Sequence, residues 1–142
     1  MELIQKNIAI EIRTVIDDNG EKELTISKQK GKYTRKGQTE VISFIEKVKD
    51  FGEVDSLLTI KPNKINLKRS GTITMNQQFV EGKTSECLYR HPYGAFHMEI
   101  LTHSIERSAD NDDKKIIIKY DLKLNGEETR NHHLTLTYTE EK

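Results

Sequence analysis

The sequence predicts an all-β domain, and three observations carry that prediction. Apolar and polar residues alternate at a spacing of two along most of the chain, which places the apolar residues on one face of each strand. Turn signals recur at short intervals, including the hairpin-forming pairs Asn19-Gly20 and Asn125-Gly126. Apolar residues occur at near-helical spacing in segment 42–51, but its β-branched and aromatic content favours a strand. We therefore expect one antiparallel up-and-down barrel of about 8–10 strands, a single domain over residues 1–142.

The individual strands follow from the alternation and from the turns that interrupt it. Isoleucines from Ile4 to Ile16 define the first strand, a polar strand runs from Glu23 to about Thr34, and Lys36-Gly37-Gln38 turns the chain. Connections of hairpin length favour up-and-down order, and closing the sheet would remove its free edges while enclosing space for one small ligand. The remaining predicted strands are 40–48, 57–60, 65–67, 72–80, 84–90, 95–107, 116–124 and 129–139.

Composition argues against several classes of function. The 23 basic and 23 acidic residues cancel, so the chain lacks the net positive charge that favours nucleic acids or anionic membranes. No stretch approaches the ~20 apolar residues of a membrane helix, and the N-terminal residues show no signal peptide. We expect a cytoplasmic protein with no nucleic-acid or membrane partner. One local basic cluster is explained by lysines that protect a strand edge: Lys28, Lys30, Lys32, Arg35 and Lys36.

No arrangement of residues predicts catalysis, a metal site or a cofactor. Among the five histidines, only His97 has a close acidic neighbour on its own face, Glu99, about 6.5–7 Å away along a strand. The acidic loop 110–113 lacks the glycine and glutamate that a calcium loop needs at its sixth and twelfth positions. Cys87 is the single cysteine and has no base at a defined spacing, so we interpret it as a structural thiol.

Two charged residues stand on the apolar parity of their strands. Glu46 alternates with Phe44 and Val48, and Arg69 alternates with Ile65 and Leu67. If these parities face the interior, a carboxylate and a guanidinium enter the barrel, where each needs a partner. The two can pair with each other or cap a barrel end, or Arg69 can anchor an anionic head group while aromatic residues hold an apolar tail.

The sequence thus leaves two functions open. The first is binding of a small amphipathic or anionic molecule inside the barrel. Tyr93 is the candidate for the mouth because it lies in a turn. The alternative is a protein-interaction module, including a homodimer, which would use apolar residues on the outer parity such as Val15, Val41, Ile45 and Ile117. The candidate ligand-binding residues are Glu46, Arg69, Phe44, Phe79, Tyr89, Tyr93, Phe96 and Met98.

Several short motifs also resemble one family along nearly the whole chain. They are Ser43-Phe44-Ile45-Glu46, Arg69-Ser70-Gly71, segment 79–82, segment 89–94 (Tyr-Arg-His-Pro-Tyr-Gly) and Thr102. In these the chain resembles the YwiB-like family of uncharacterised bacterial β-barrel proteins. The resemblance implies a lipocalin-like (calycin) barrel with room for an interior cavity. It implies no activity, since fold alone does not specify function.

Overall fold

The computed structural model describes residues 3–48, 52–110 and 113–141, and it confirms the all-β prediction. The described residues contain no helix that is long and apolar enough to cross a membrane. Ten strands are present. They are β1 (Leu3–Asp18), β2 (Glu21–Lys36), β3 (Thr39–Val48), β4 (Gly52–Lys61), β5 (Lys64–Gly71), β6 (Met75–Phe79), β7 (Thr84–His91), β8 (Gly94–Asp110), β9 (Asp113–Leu124) and β10 (Arg130–Glu140).

All ten strands form one antiparallel sheet in which neighbours in sequence are neighbours in space. The order is β6-β5-β4-β3-β2-β1-β10-β9-β8-β7, so the first and last strands pair in the middle. Their ladder runs from Ile8 opposite Glu140 to Asp17 opposite Asn131. This is the predicted up-and-down order, and it leaves β6 and β7 as the two outer strands of the sheet.

The seam between β6 and β7 brings the sheet close to a closed barrel. Thr74 and Arg90 exchange two backbone hydrogen bonds of 2.9 Å at one end of the seam. Farther along, the Ser85 hydroxyl donates to the Gln78 carbonyl at 2.7 Å. At the other end, the Gly82 amide donates to the Thr102 carbonyl at 2.8 Å. The barrel is therefore closed at this seam by a few contacts instead of a continuous ladder.

Turn chemistry and alternation explain where the strands begin, end and point. Asn19 and Asn125 adopt positive φ angles of 53° and 49°, and each is followed by a glycine of positive φ. Asn19-Gly20 forms the two-residue turn of the β1–β2 hairpin, whereas Asn125-Gly126 begins the longer connection from Leu124 to Arg130. The inward side chains form one apolar core. Its fully buried members include Ile42, Ile60 and Ile100. The predicted strand parities are thus the ones that the barrel buries.

Several predicted boundaries were wrong by a few residues. β4 begins at Gly52, well before the predicted position 57, because its early residues alternate as Val54 and Ser56, a polar residue on the inward side. β6 is shorter than predicted, and β8 is longer because Ser108 to Asp110 continue the pairing with β9. The segment with helical spacing is strand as far as Val48, and its last residue, Phe51, lies outside the described residues.

The sheet splits between β2 and β3, although the two strands begin as a tight hairpin. They pair from Lys36 opposite Thr39 to Gly31 opposite Phe44, and no further pairing is seen among their described residues. Gly31 is the point of separation. A Cβ atom added there would lie 2.5 Å from the Ser43 carbonyl oxygen and 2.7 Å from Ile10 Cδ1. Only glycine allows β2 to pass this close to β3 and to β1.

We expect Gly31→Ala to lower the free energy of unfolding by about 2–3 kcal/mol, because the Ser43 backbone cannot yield without disturbing the ladder. Urea unfolding followed by circular dichroism measures this change. Gly82→Ala is the control: its new Cβ meets open space, and its positive φ of 73° costs about 1 kcal/mol. Equal losses in the two variants would contradict the close approach at Gly31.

Candidate functional site

A cavity of about 290 Å³ lies inside the barrel next to the split between β2 and β3. One side of it is polar, formed by residues of β1, β2, β3 and β5. The opposite side is apolar and includes Phe79 of β6 and Ile118 of β9. This volume is at the small end of the range for ligand pockets. The polar lining residues are Thr14, Thr25, Ser27, Glu46 and Arg69.

Glu46 and Arg69 form an ion pair in the polar wall. The Arg69 Nη2 donates to Glu46 Oε2 at 2.9 Å, and the Ser56 hydroxyl donates to Glu46 Oε1 at 3.0 Å. The Arg69 and Glu46 side chains are 18% and 22% exposed, so each is largely removed from water. The local sequence explains this, because Phe44 and Glu46 share a parity on β3, as do Leu67 and Arg69 on β5.

One donor of this pair remains unused. The Arg69 Nε–H is buried and meets no acceptor among the described residues. A buried donor without a partner costs about 1–3 kcal/mol, so it favours any ligand oxygen that can accept from it. The guanidinium charge itself is already matched by Glu46. The wall therefore offers a hydrogen-bond donor within a locally neutral pair.

The cavity faces the gap where β2 and β3 separate. Thr25 and Ser27 line it from the β2 side, and Phe44 and Glu46 line it from the β3 side. No ladder joins these two pairs of residues, since the pairing of β2 with β3 stops at Gly31. Thr25 is exposed to solvent although it lies on the inward parity. The gap in the sheet is thus the opening of the cavity.

The structure brings together four of the eight candidate ligand-binding residues. Phe44, Glu46, Arg69 and Phe79 all line the cavity. The others lie elsewhere: Met98 is buried in the core, and three aromatic residues belong to the β7–β8 hairpin. There the His91 ring stacks on the Phe96 ring, with 5.0 Å between the ring centroids. The centroids of Tyr89 and Tyr93 lie 5.7 Å and 6.1 Å from that of His91.

Tyr93 was the predicted mouth residue, and its side chain is 84% exposed at the hairpin tip. It is not among the residues that line the cavity. The prediction placed the mouth at a turn because turns close the ends of a barrel. The actual opening lies in the wall, where β2 and β3 part.

A second polar cluster fills the opposite end of the barrel, near the β2–β3 turn. Tyr33 and Tyr138 stack at 5.6 Å, and their hydroxyls donate to Glu40 Oε1 at 2.5 and 3.5 Å. Burial raises the pKa of both tyrosines, and the Glu40 carboxylate adds to the increase. The hydroxyls therefore stay protonated as donors. This cluster closes that end of the core and does not line the cavity.

His132 is the histidine with a perturbed environment. Its ring stacks on Tyr120 at 4.9 Å, and neither ring nitrogen has a hydrogen-bond partner among the described residues. Burial, together with the nearby Arg130 charge, lowers the pKa of His132 to about 4, against a smaller opposite effect of Asp121. Burial also raises the pKa of Tyr120 to about 12. Both rings are therefore neutral near pH 7.

The other residues considered for chemistry have structural surroundings. Cys87 points inward and packs against the core, and burial raises the pKa of its thiol. The His97 Nε2 lies 3.6 Å from Glu86 on the neighbouring strand, and His103, in the β8 bulge, lies 2.9 Å from Asp121. Within the described ranges no three potential ligands converge on a metal position. Half of the acidic loop 110–113, namely Asn111 and Asp112, lies outside those ranges.

Sequence reasoning missed part of the polar wall. Ser56 has the parity of Val54 and Leu58, and Ser27 has the parity of Tyr33, so alternation alone could have placed both inside. A small hydroxyl residue does not by itself indicate a binding site, whereas a charged residue on an apolar parity does. The cluster of Tyr33, Glu40 and Tyr138 was also missed, because it joins residues from three strands whose register the sequence does not give.

We expect Arg69→Met to lower the free energy of unfolding by about 2 kcal/mol, because it leaves the Glu46 carboxylate buried without its cation. The double variant Arg69→Met/Glu46→Leu should lose less than the sum of the two single changes, which a double-mutant cycle by urea unfolding measures. Lys6→Met is the control. It breaks an exposed pair with Glu140 and should change stability by about 0.5 kcal/mol or less. Strict additivity at Glu46 and Arg69 would contradict the coupling.

The pKa of His132 predicts a loss of stability in mild acid. The unfolded chain binds a proton at this ring below pH ~6.5. The folded barrel resists protonation down to about pH 4. Stability is therefore retained above pH ~6.5 and falls as the pH drops through this window. His132→Phe keeps the stack on Tyr120 but removes the titrating group. Lowering the pH from 7.5 to 5 should therefore reduce the free energy of unfolding of this variant by about 1 kcal/mol less than that of the parent.

Thermal unfolding at the two pH values measures this difference. His133→Phe places the same ring on the outer face of β10 and serves as the control. If His132→Phe showed the same pH profile as the parent, the buried and unpartnered state of His132 would be contradicted.

Comparison with known proteins agrees with the geometry. The chain is 29% identical over 131 residues to the uncharacterized β-barrel protein YwiB of Bacillus subtilis (strain 168), covering 92% of each chain. It also matches the crystal structure of the YwiB protein from Bacillus subtilis with a TM-score of 0.86 and 28% identity, over 97% of this chain and 94% of that one. These matches confirm the resemblance found in the sequence and the barrel fold. Residues 10–136 match the family described as a domain of unknown function (DUF1934), and the chain belongs to that family.

Proposed function

We propose that this protein binds a small amphipathic molecule in the cavity between the Glu46–Arg69 pair and the apolar wall. The observation that carries the proposal is the combination in one cavity of a buried, unused Arg69 Nε–H donor with an opposite wall of isoleucine, leucine and phenylalanine. A molecule with one polar end and a short apolar body would satisfy both sides.

The charges of the wall favour a neutral polar group over an anionic one. An anion at Arg69 would have to compete with the Glu46 carboxylate, whose Oε2 lies 2.9 Å from the guanidinium. A neutral acceptor such as a hydroxyl or carbonyl oxygen can take the Nε–H without displacing Glu46. We therefore narrow the predicted amphipathic or anionic ligand to a neutral amphipathic one.

The cavity volume limits the size of the ligand. About 290 Å³ is too small for a large lipid and suits a compact molecule. The gap between β2 and β3 supplies the route, since it opens on the cavity from the side. By analogy with lipocalin-like barrels, a cytoplasmic carrier or sensor would use its interior in this way.

Octanol and octanoate form a matched pair of ligands for the test, because they share an apolar chain and differ in head-group charge. We expect octanol to form a one-to-one complex in native mass spectrometry and to raise the melting temperature more than octanoate does. Native mass spectrometry of the protein gently purified from its own source cells should also show a small retained mass at fixed stoichiometry.

A blocking variant localises the binding. Thr25→Trp places a large ring at the opening and should weaken octanol binding at least about tenfold, or 1.4 kcal/mol. Ile26→Trp adds the same ring on the outer face of the same strand and should leave the affinity unchanged. If neither compound bound, and the protein from source cells carried no retained mass, the cavity would be only a space left by imperfect packing and the proposal would fail.

A further inference from the structure

The first part of β2 has a free backbone edge. β2 pairs with β1 along its whole length, but residues 21–30 pair with no described strand on their other side. The facing part of β3, from Ile45 to Val48, pairs only with β4. Exposed backbone amides and carbonyls along such an edge can accept another extended chain.

The outer side chains along this edge form an ordered pattern. Leu24 and Ile26 are 54% and 45% exposed, although both are large and apolar. Lys28 and Lys30 follow on the same face. Their ion pairs, with Glu11 at 3.9 Å and with Glu141 at 3.6 Å, are long and exposed, so they contribute little and leave both lysines available. After Lys22, which lies on the same face, the edge thus presents two apolar residues and then two cations.

We propose that residues 21–30 of β2 bind an extended acidic segment of a partner protein, which adds to the sheet as an antiparallel strand. Its outer side chains would then lie opposite those of β2. Acidic residues would face Lys30 and Lys28, and apolar residues would face Ile26 and Leu24. The main chain supplies affinity, and this alternating pattern supplies specificity. The inference concerns the outside of the barrel and is independent of the interior ligand.

A second copy of this chain fits the edge less well. Antiparallel self-pairing of β2 centred on Ile26 would place Lys22 opposite Lys30, and pairing centred on Thr25 would place Lys22 opposite Lys28. Like charges directly opposite each other on neighbouring strands are destabilising. The lysines therefore discourage self-association at this edge while they attract an acidic strand, which favours the peptide over the homodimer.

Fluorescence anisotropy with a labelled peptide of sequence Glu-Thr-Glu-Thr-Val-Thr-Val tests the proposal. We expect saturable binding, and we expect Lys28→Glu/Lys30→Glu to weaken it at least about tenfold and to prefer a peptide with lysine in place of glutamate. Lys115→Glu/Lys119→Glu makes the same charge change on β9, whose two edges are both paired, and should leave the affinity nearly unchanged. Peptide binding should also slow amide exchange in residues 21–30.

Three results would overturn the inference. Equal weakening in both double variants would reduce the effect to non-specific charge attraction. Protection confined to β6 or β7, the two strands at the barrel seam, would place the peptide elsewhere. A concentration-dependent dimer in analytical ultracentrifugation that Ile26→Asp abolishes would assign the edge to a second copy of this chain.

Discussion

The pairing of β1 with β10 is the contact on which the rest of the structure depends. It joins the two ends of the chain, from Ile8 opposite Glu140 to Asp17 opposite Asn131, in the middle of the sheet. Without it, the chain would form two separate meanders, β1–β6 and β7–β10, each with an uncovered apolar face. Closing so long a loop costs chain entropy that is recovered only when both meanders bury their inward faces against each other. The weak seam between β6 and β7 is tolerated because this central ladder already sets the curvature.

Closure leaves the interior unevenly filled, and that unevenness creates the candidate site. Near the β2–β3 turn, Tyr33, Ile42 and Tyr138 fill the barrel and Glu40 is held by two hydroxyls. Beyond Gly31 the wall opens, and the space is lined by small hydroxyl residues and by the pair of Glu46 and Arg69. A buried ion pair seldom adds net stability over an apolar one, because desolvation offsets its attraction. In the proposed function, this pair beside the cavity would hold the polar group of a ligand.

The sequence predicts the features that depend on neighbouring residues, and it does not predict the contacts that depend on how the strands align. Alternation placed Phe44, Glu46 and Arg69 on the apolar parity of their strands, and the Asn-Gly pairs predicted two hairpins, because side-chain direction and turn geometry are properties of neighbouring residues. The partner of Arg69 was open between Glu46 and an anionic ligand, since the distance between Arg69 and Glu46 depends on how β3, β4 and β5 align. The loss of pairing beyond Gly31 follows from a close approach of three strands, which no local pattern encodes.

The split in the sheet links the two candidate functions physically. Along one stretch of β2, Thr25 and Ser27 point to the cavity while Leu24 and Ile26 point outward, and the same backbone carries the free edge. A strand added to that edge would lie across the opening through which the proposed ligand would enter. If the bound strand changes the affinity for the ligand by some factor, then by linkage the bound ligand changes the affinity for the strand by the same factor. The polar wall on β3 and β5 stays fixed by the Glu46–Arg69 pair in either case, so the segment of β2 between Glu21 and Lys30 is the element through which such coupling would act.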